Sequence, residues 1–198
     1  MSCCCPHSKS GGRIFSFFAR SYRRRFTKKG FEPSQLQLMA GLEQAGYKNT
    51  SLLEIGSGVG YLHQTLLEQG AKTATGIDLS AEMLKEAQQW ADEKGQADRV
   101  QYIQGDFIEL LDQVDSAEVT ILDKVVCCYP HAELLVKCST AKTSRVYALT
   151  YPRNRWFIPI AMEVMAFFLQ LSGSDFRGFV HGPHDIEGWI IEPGFKKT

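Results

Sequence analysis

Between residues 51 and 171 the sequence alternates short apolar runs with longer amphipathic runs, and this alternation limits the possible folds more than any other feature. The short runs predict five strands, at Ser51–Ile55, Thr73–Ile77, Val100–Ile103, Ala117–Leu122 and Arg145–Thr150. The longer runs predict helices at Gly58–Gln69, Ala81–Glu93, Pro130–Cys138 and Trp156–Leu171. Strands joined by helices of this length pair in parallel through right-handed crossovers. We therefore expect a doubly wound α/β fold, with a mainly parallel sheet and helices on both faces.

The first 49 residues do not follow this alternation. Residues 1–12 are rich in Ser, Gly and Cys, which predicts a flexible start. Aromatic residues then recur at three- and four-residue spacing, at Phe15, Phe18, Tyr22 and Phe26. This spacing predicts a helix that ends at Gly30, and Pro33 and Gly46 bound a second predicted helix. These helices can simply pack on the body or form a lid over its site. We expect a flexible N-terminus and basic helical lid over 1–49, and the α/β domain over 50–198.

The charged residues are unevenly distributed, although 22 Lys and Arg balance 22 Asp and Glu. Residues 1–32 hold eight basic residues and one acid, a net charge of +7, so the remaining 14 basic and 21 acidic residues give −7. A basic helix can be a solvated surface, or it can attract the phosphates of a nucleic acid. The sequence shows little of the aromatic and basic interleaving that stacks bases, which favours a solvated helix face over an RNA partner.

The six cysteines do not form a disulfide pattern. They occur as one triplet, one pair and one isolated residue, at Cys3, Cys4, Cys5, Cys127, Cys128 and Cys138. Adjacent cysteines chelate zinc poorly and no Cys-x-x-Cys occurs, so we expect no metal site and interpret the pair as small buried residues. The unpaired thiols, together with the lack of an apolar signal segment or a bilayer-length apolar stretch, predict a cytoplasmic protein.

The first predicted strand runs into a glycine-rich turn, Leu53-Glu54-Ile55-Gly56-Ser57-Gly58-Val59-Gly60. Gly56 and Gly58 allow the backbone to turn tightly and to approach a ligand. The helix that follows offers free N–H groups at its N-terminus. A nicotinamide dinucleotide would require a small residue where the sequence has Tyr61, and Glu54 would repel its pyrophosphate. An acid at Glu54 suits a cationic ligand instead.

Acidic residues follow the next three predicted strands. Asp78 lies 22 residues after Gly56, where a carboxylate can accept both hydroxyls of a ribose. Asp106 can accept a hydrogen bond from the exocyclic amine of an adenine, and Phe107 can flank its ring. Asp123 ends the fourth strand, beside the crevice expected at the carboxyl ends of the strands. The pattern predicts a site for a cationic, ribose-bearing cofactor.

These motifs together resemble those of the class I S-adenosylmethionine-dependent methyltransferases, over about residues 51–155. The resemblance implies a Rossmann-like methyltransferase with S-adenosyl-L-methionine as its cofactor. It places the amino-acid and sulfonium end of the cofactor on the turn residues Glu54, Gly56, Ser57, Gly58 and Gly60. It places the ribose at Asp78 and the adenine near Leu79, Met83, Asp106 and Phe107, and it adds Asp123 to the cofactor-binding residues.

A finer resemblance involves the segments 123–130, 151–153 and 176–181. They look like a little-characterised bacterial group of such enzymes, which is distantly similar to magnesium-protoporphyrin O-methyltransferases and starts with clustered cysteines and a basic helix. The resemblance implies a small-molecule methyl acceptor, aromatic or apolar. Two alternatives stay open: a non-catalytic Rossmann-like binding protein that uses its basic helix for interaction, and an RNA-directed methyltransferase.

Methyl transfer from a sulfonium is an in-line displacement, so the protein mainly positions the reactants and excludes water. A general base is needed only if the acceptor arrives protonated. The candidates lie near the ends of the fourth and fifth strands: Asp123, Tyr129, His131 and Tyr151. Histidine is a common general base, but His131 also fits an exposed helix start, and His181 and His184 fit loop positions.

The C-terminal residues predict a shortened sheet. The sheet of the resembled family has seven strands, the last two of which form an antiparallel hairpin. Here Asp185–Ile191 predicts the helix before the sixth strand, and Gly194 predicts the turn into it. We therefore expect about five strands with the final hairpin missing, in a chain that is truncated or a shortened variant.

Overall fold

The computed structural model describes residues 6–151 and 178–196, and for residues 6–15, 17 and 18 it describes the backbone. Two helices come first, α1 (Pro6–Lys29) and α2 (Pro33–Ala45). Strands and helices then alternate through β1 (Ser51–Ile55), α3 (Tyr61–Glu68), β2 (Thr73–Asp78), α4 (Ala81–Glu93), β3 (Val100–Gln104), β4 (Ala117–Asp123), α5 (Ala132–Ala141) and β5 (Thr143–Thr150). The last described helix is α6 (Pro183–Ile191).

The five strands form one parallel sheet in the order β3-β2-β1-β4-β5. The chain runs outward from β1 to β3 on one side and then crosses back to β4 on the other. The strand order therefore reverses between β1 and β4, where doubly wound sheets bind ligands at the carboxyl ends of the strands. The expected fold class is confirmed, and each strand begins within two residues of its predicted start.

Both faces of the sheet are buried, because successive side chains of a strand point to opposite sides. Leu53 of β1 packs in a cluster with Leu135 of α5 on one face. Leu52 packs on the other face, in a cluster with Leu42 of α2 and Leu66 of α3. This double burial explains the apolar runs in the sequence and shows that α2 is part of the packed core.

Helix α1 begins earlier than the sequence predicts. It starts at Pro6 rather than near Phe15, so much of the segment expected to be flexible is helical. Proline is compatible with a first turn, because the N–H that it lacks would have no intrahelical partner there. The glycines at positions 11 and 12 concealed this helix, since each costs about 1 kcal/mol relative to alanine. The predicted end is confirmed: Gly30 has a φ of 67° and its N–H donates to the carbonyl of Phe26 at 2.8 Å.

The basic surface of α1 is partly neutralised by acids of α4. Arg23 Nη1 lies 3.3 Å from Glu86 Oε2, and its Nη2 contacts Glu93. The same guanidinium lies over the ring of Trp90, 5.7 Å from its centroid. Arg20 adds a longer contact to Glu86 at 3.8 Å. Part of the +7/−7 division is therefore an intramolecular contact that holds α1 against the domain.

Replacing Arg23 with alanine should loosen α1. Arg23 is the partly buried arginine of this contact, with a side chain 21% exposed, so we expect a loss of about 1 kcal/mol in docking free energy and about fivefold faster amide hydrogen exchange in α1. Arg24→Ala, on the exposed side of the same helix, is the matched control. Equal exchange in both variants would contradict this role of Arg23.

Three expectations fall outside the described residues: the helix at Trp156–Leu171, the cysteine triplet at Cys3, and most of the segments around 152 and 176. Among the described residues after Thr150 there is one helix, α6, and no strand. Its bounds agree with the helix predicted at Asp185–Ile191, starting two residues earlier. None of the helices in the described ranges has both the length and the apolar character needed to cross a membrane.

Candidate functional site

A cavity of about 470 Å³ opens at the reversal point between β1 and β4. Its walls come from the carboxyl ends of the strands, the loops that follow them, and the helices α1 and α2. Ten of the eleven predicted cofactor residues line it: Glu54, Gly56, Ser57, Gly58, Asp78, Leu79, Met83, Asp106, Phe107 and Asp123. Gly60 does not line it. Residues more than 60 positions apart in the sequence therefore meet around one space.

The glycine-rich turn forms one wall of the cavity, and Gly56 packs against the segment that follows β4. Gly56 has a φ of 68°, in the left-handed region that favours glycine. A Cβ atom there would lie 2.5 Å from Cγ2 of Val125. Gly60 has a φ of 77° and packs against side chains of α3 and β3, including Tyr102. Gly56 therefore permits close packing at the cavity, whereas Gly60 supports the start of α3.

Asp78, at the end of β2, fixes the backbone of two turns: the glycine-rich turn after β1 and the turn that leads into α4. Its Oδ2 accepts a hydrogen bond from the Gly58 N–H and its Oδ1 accepts one from the Ser80 N–H, each at 2.8 Å. Ser80 in turn caps α4, as predicted, by accepting from the Met83 N–H at 3.2 Å. Burial raises the pKa of Asp78, and backbone hydrogen bonds oppose this shift. Each carboxylate oxygen has further acceptor capacity for a ligand hydroxyl.

Glu54 belongs to a buried polar network that the sequence did not reveal. Its Oε2 lies 2.5 Å from His63 Nδ1 and accepts the His63 backbone N–H at 3.3 Å. The other ring nitrogen of His63 lies 2.9 Å from the hydroxyl of Tyr102, to which Gln64 Nε2 also donates at 2.8 Å. Burial raises the pKa of Glu54, while His63 opposes the shift. His63 sits among apolar residues of α3, and no spacing in the sequence connects it to Glu54.

The buried hydroxyl of Ser57 tests whether the cavity fits a polar ligand. Ser57 is 6% exposed, and its Oγ has no hydrogen-bond partner among the described residues. A buried hydroxyl without a partner costs about 1–3 kcal/mol, so an unpaired one in a cavity wall indicates a group that a ligand or water completes. Together with Asp78, Asp106 and Asp123 at three strand ends, this hydroxyl gives the cavity wall polar groups that fit the cationic, ribose-bearing cofactor implied by the resemblance.

Asp106 and Tyr129 are paired in the cavity wall. Asp106 Oδ1 accepts hydrogen bonds from the Tyr129 hydroxyl at 2.7 Å and from the Ile108 N–H at 3.0 Å. Phe107, next in the chain, is 2% exposed and lines the same wall. The Tyr129 hydroxyl therefore orients the Asp106 carboxylate. Because this hydroxyl already donates its proton to Asp106, the contact argues against Tyr129 as a general base.

Asp123 is connected to α2 by a residue that the sequence analysis missed. Gln35 is buried, and its Nε2 donates to Asp123 Oδ2 at 2.6 Å and to the Tyr61 hydroxyl at 3.0 Å. Its Oε1 accepts the Glu32 N–H at 2.9 Å in the capping box of α2. Asp123 Oδ1 accepts from the Thr150 hydroxyl at 2.5 Å. Gln35 gave no sequence signal, because its partner lies 88 residues away.

The two N-terminal helices cover the cavity through aromatic and charged contacts. Phe26 of α1 stacks on Tyr61 with ring centroids 4.4 Å apart and an interplanar angle of 6°. Glu32, between the helices, pairs with Arg25 at 2.5 Å and with Lys124. The hydrogen bond from Lys124, followed by the charges of Lys124 and Arg25, lowers the pKa of Glu32. The lid is therefore joined to the segment after β4.

The four candidate bases are not all at the cavity. Asp123 and Tyr129 line it. His131 is exposed at the residue before α5, and Tyr151 packs with the cluster around α6, so neither contributes to the lining. His184 is exposed in the first turn of α6 rather than in a loop, and His181 lies in the loop before it.

The fold, the strand order and the glycine-rich turn define a Rossmann-like protein that binds a nucleoside-containing cofactor. A family model described as "Methyltransferase domain" matches residues 52–144. This segment is a methyltransferase domain with a Rossmann-like fold. No curated protein sequence matches this chain.

Solved structures share the fold. Magnesium protoporphyrin IX methyltransferase from Synechocystis PCC 6803, with bound S-adenosylmethionine, has a TM-score of 0.70 and 18% identity, over 99% of this chain and 89% of that one. The same enzyme with bound S-adenosylhomocysteine has a TM-score of 0.67 and 19% identity, over 92% of this chain and 88% of that one. The methyltransferase in a complex with the Haloferax volcanii activator Trm112 has a TM-score of 0.66 and 13% identity, over 91% of this chain and 75% of that one. At these identities the likeness concerns the fold.

Proposed function

We propose that the protein transfers a methyl group from S-adenosyl-L-methionine to a small aromatic or apolar molecule. The observation that carries this proposal is the cavity at the strand reversal, which the lid residues Tyr22 and Phe26 help to enclose. Its volume of about 470 Å³ falls in the range of small-molecule sites, about 300–1,000 Å³. A polymer would need an extended groove, whereas this space is covered by two helices.

The residues that would hold the cofactor are those of the cavity wall. The amino-acid and sulfonium end would lie along the turn at Glu54, Gly56, Ser57 and Gly58, with Gly60 shaping the turn from outside the lining. Asp78 would accept the ribose hydroxyls, and Leu79, Met83, Asp106, Phe107 and Asp123 would surround the rest. When bound, the cofactor supplies a methyl group already activated on a positive sulfur. The protein therefore needs to orient the acceptor and exclude water.

The lid residues support an aromatic or apolar acceptor. Tyr22 and Phe26 of α1 and Val125 after β4 contribute apolar surface to the cavity. One structural neighbour acts on magnesium protoporphyrin IX, which is a planar aromatic molecule. Asp123 is the one carboxylate among the candidate bases that line the cavity, and it already accepts hydrogen bonds from Gln35 and Thr150.

The internal pairing of α1 weakens the two alternatives. Both the non-catalytic binding protein and the RNA-directed enzyme were suggested by the basic N-terminal segment. Arg23 and Arg25 are engaged with Glu86 and Glu32 of this chain, which leaves less charge for an external partner. The free thiols among the described residues support a cytoplasmic location, where thiols stay reduced.

Titration and methyl-transfer assays test the proposal together. Isothermal titration should show one S-adenosylmethionine bound per chain. Transfer of a labelled methyl group should then be screened against small-molecule extracts and against total RNA. Labelling confined to the small-molecule fraction is expected. Labelling of RNA, or cofactor binding without transfer to either fraction, would favour one of the alternatives.

The charge of Glu54 should make cofactor recognition depend on pH. Burial raises the pKa of this carboxyl, so it gains a proton as the pH falls and then loses its attraction for a sulfonium. We expect the preference for S-adenosylmethionine over neutral-sulfur S-adenosylhomocysteine to grow as the pH rises from acid to mildly alkaline. Glu54→Gln should remove about tenfold of this preference, about 1.4 kcal/mol, and its pH dependence.

Parallel titrations of both ligands across that pH range measure this effect. Glu109→Gln, at an exposed glutamate outside the cavity lining, provides the control. A preference that Glu54→Gln leaves unchanged would show that another group recognises the sulfonium.

A further inference from the structure

Cys127 and Cys128 place two thiols side by side in the cavity wall. They lie on the 3₁₀ turn Val126–Cys128 that follows β4, and both contribute to the cavity lining. Their Sγ atoms are 3.8 Å apart. Both thiols approach the carbonyl oxygen of Lys124, at 3.1 and 3.6 Å, so the turn directs them to the same side of the backbone.

The separation of the two sulfurs suits one atom bound to both. Two zinc–sulfur bonds of about 2.3 Å at a tetrahedral angle hold their sulfurs about 3.8 Å apart, and trivalent arsenic, which is pyramidal with smaller bond angles, holds them slightly closer. Zinc requires three or four protein ligands, and the described residues contain no group of three or more His, Cys, Asp or Glu side chains that could hold a metal ion. A trivalent arsenical carries its own substituent and needs only two protein sulfurs.

The environment of the pair also favours reaction. The hydrogen bond from Cys128 lowers the pKa of the Cys127 thiol, and Lys124 acts in the same direction against the effect of burial. The same hydrogen bond, with burial, raises the pKa of Cys128, which therefore stays protonated as the donor. Since the thiolate is the attacking form of cysteine, Cys127 would react first and Cys128 would close the chelate.

We propose that Cys127 and Cys128 form a dithiol site for thiophilic electrophiles of the trivalent arsenical class. With phenylarsine oxide, two arsenic–sulfur bonds form and the arsenic–oxygen double bond breaks. Both thiol protons leave with the oxygen as water, and arsenic remains trivalent. This chemistry does not depend on methyl transfer or on the cofactor.

The test uses the full chain with Cys3→Ser, Cys4→Ser and Cys5→Ser, because the N-terminal thiols would also bind the probe. Phenylarsine oxide is added to the folded protein, and the adducts are counted by intact mass after a challenge with excess glutathione and then with dithiothreitol. We expect one adduct per chain that survives the monothiol and is released by the dithiol. Adding Cys127→Ser or Cys128→Ser should lower the surviving fraction at least tenfold, because a single bond lacks the effective concentration of the second thiol.

Cys138→Ser is the matched control, since Cys138 is a free and partly buried thiol on α5 without a neighbouring cysteine. It should leave the surviving adduct unchanged. Adduct retention that is insensitive to Cys127→Ser and Cys128→Ser, or that falls equally in Cys138→Ser, would overturn the proposal. Thermal unfolding confirms that each variant is folded, and Cys127→Ala and Cys128→Ala replace any serine variant that is not.

Discussion

Replacing Asp78 with alanine should lower the affinity for S-adenosylmethionine by about 100-fold, which corresponds to about 2.7 kcal/mol. Two losses combine in this variant. The cofactor loses a charged acceptor for its ribose, which is worth about 1.5–3 kcal/mol. The N–H groups of Gly58 and Ser80 also lose the carboxylate that holds them at 2.8 Å, so the turn around the ligand is less ordered. Isothermal titration measures the change directly.

Two further variants sharpen this experiment. Asp78→Asn keeps the shape and one acceptor oxygen but removes the charge. We therefore expect its affinity for S-adenosylmethionine to lie between that of the wild type and that of Asp78→Ala. Asp98→Ala removes an exposed carboxylate in the 3₁₀ turn Ala97–Arg99, outside the cavity, and should bind normally. If folded Asp78→Ala bound with wild-type affinity, the cavity would not be the cofactor site.

Replacing Gly56 with alanine should destabilise the fold by about 2–4 kcal/mol, the largest stability change we expect from a single methyl group in this chain. A residue with a Cβ in the left-handed region costs about 1–2 kcal/mol. The added atom would also lie 2.5 Å from Cγ2 of Val125, and overpacking of this kind costs about 1–3 kcal/mol. Urea unfolding followed by circular dichroism provides the measurement.

The chain offers a control for each contribution. Gly95 has a φ of 65° and no atom within 4 Å of a built Cβ, so Gly95→Ala should cost only the backbone part. Val125→Ala removes the atom that Gly56→Ala would meet, so the double variant should cost at least 1 kcal/mol less than the sum of the two single changes. Equal costs for Gly56→Ala and Gly95→Ala would contradict the close contact.

The sequence was sufficient to predict the sheet and most of the cavity wall, because both follow from local pattern and topology. The apolar runs predicted all five described strands, and parallel strands bring their carboxyl ends to one edge. The proximity of Asp78, Asp106 and Asp123 could therefore be predicted without any knowledge of tertiary contacts. The resemblance added chemical roles to positions that the strand ends had already indicated.

The missed features depend on contacts between distant segments. Gln35 reaches Asp123 only because α2 packs on the sheet, and His63 pairs with Glu54 only because α3 folds back on β1. The excess of basic residues in α1 was visible in the sequence, but the glutamates of α4 that pair with these arginines were not. The early start of α1 was hidden because glycine lowers helix propensity in isolation.

The role of Gln35 has a practical consequence for where this domain can be cut. The methyltransferase match begins at residue 52, yet the side chain that contacts Asp123 and caps α2 lies 17 residues earlier. A version whose N-terminus is trimmed to residue 52 would keep β2 to β5 and all of β1 except Ser51, and would still leave the Asp123 carboxylate without its amide partner. The smallest unit that preserves this contact with Asp123 therefore extends back to Glu32, where the first hydrogen bond of that arrangement begins.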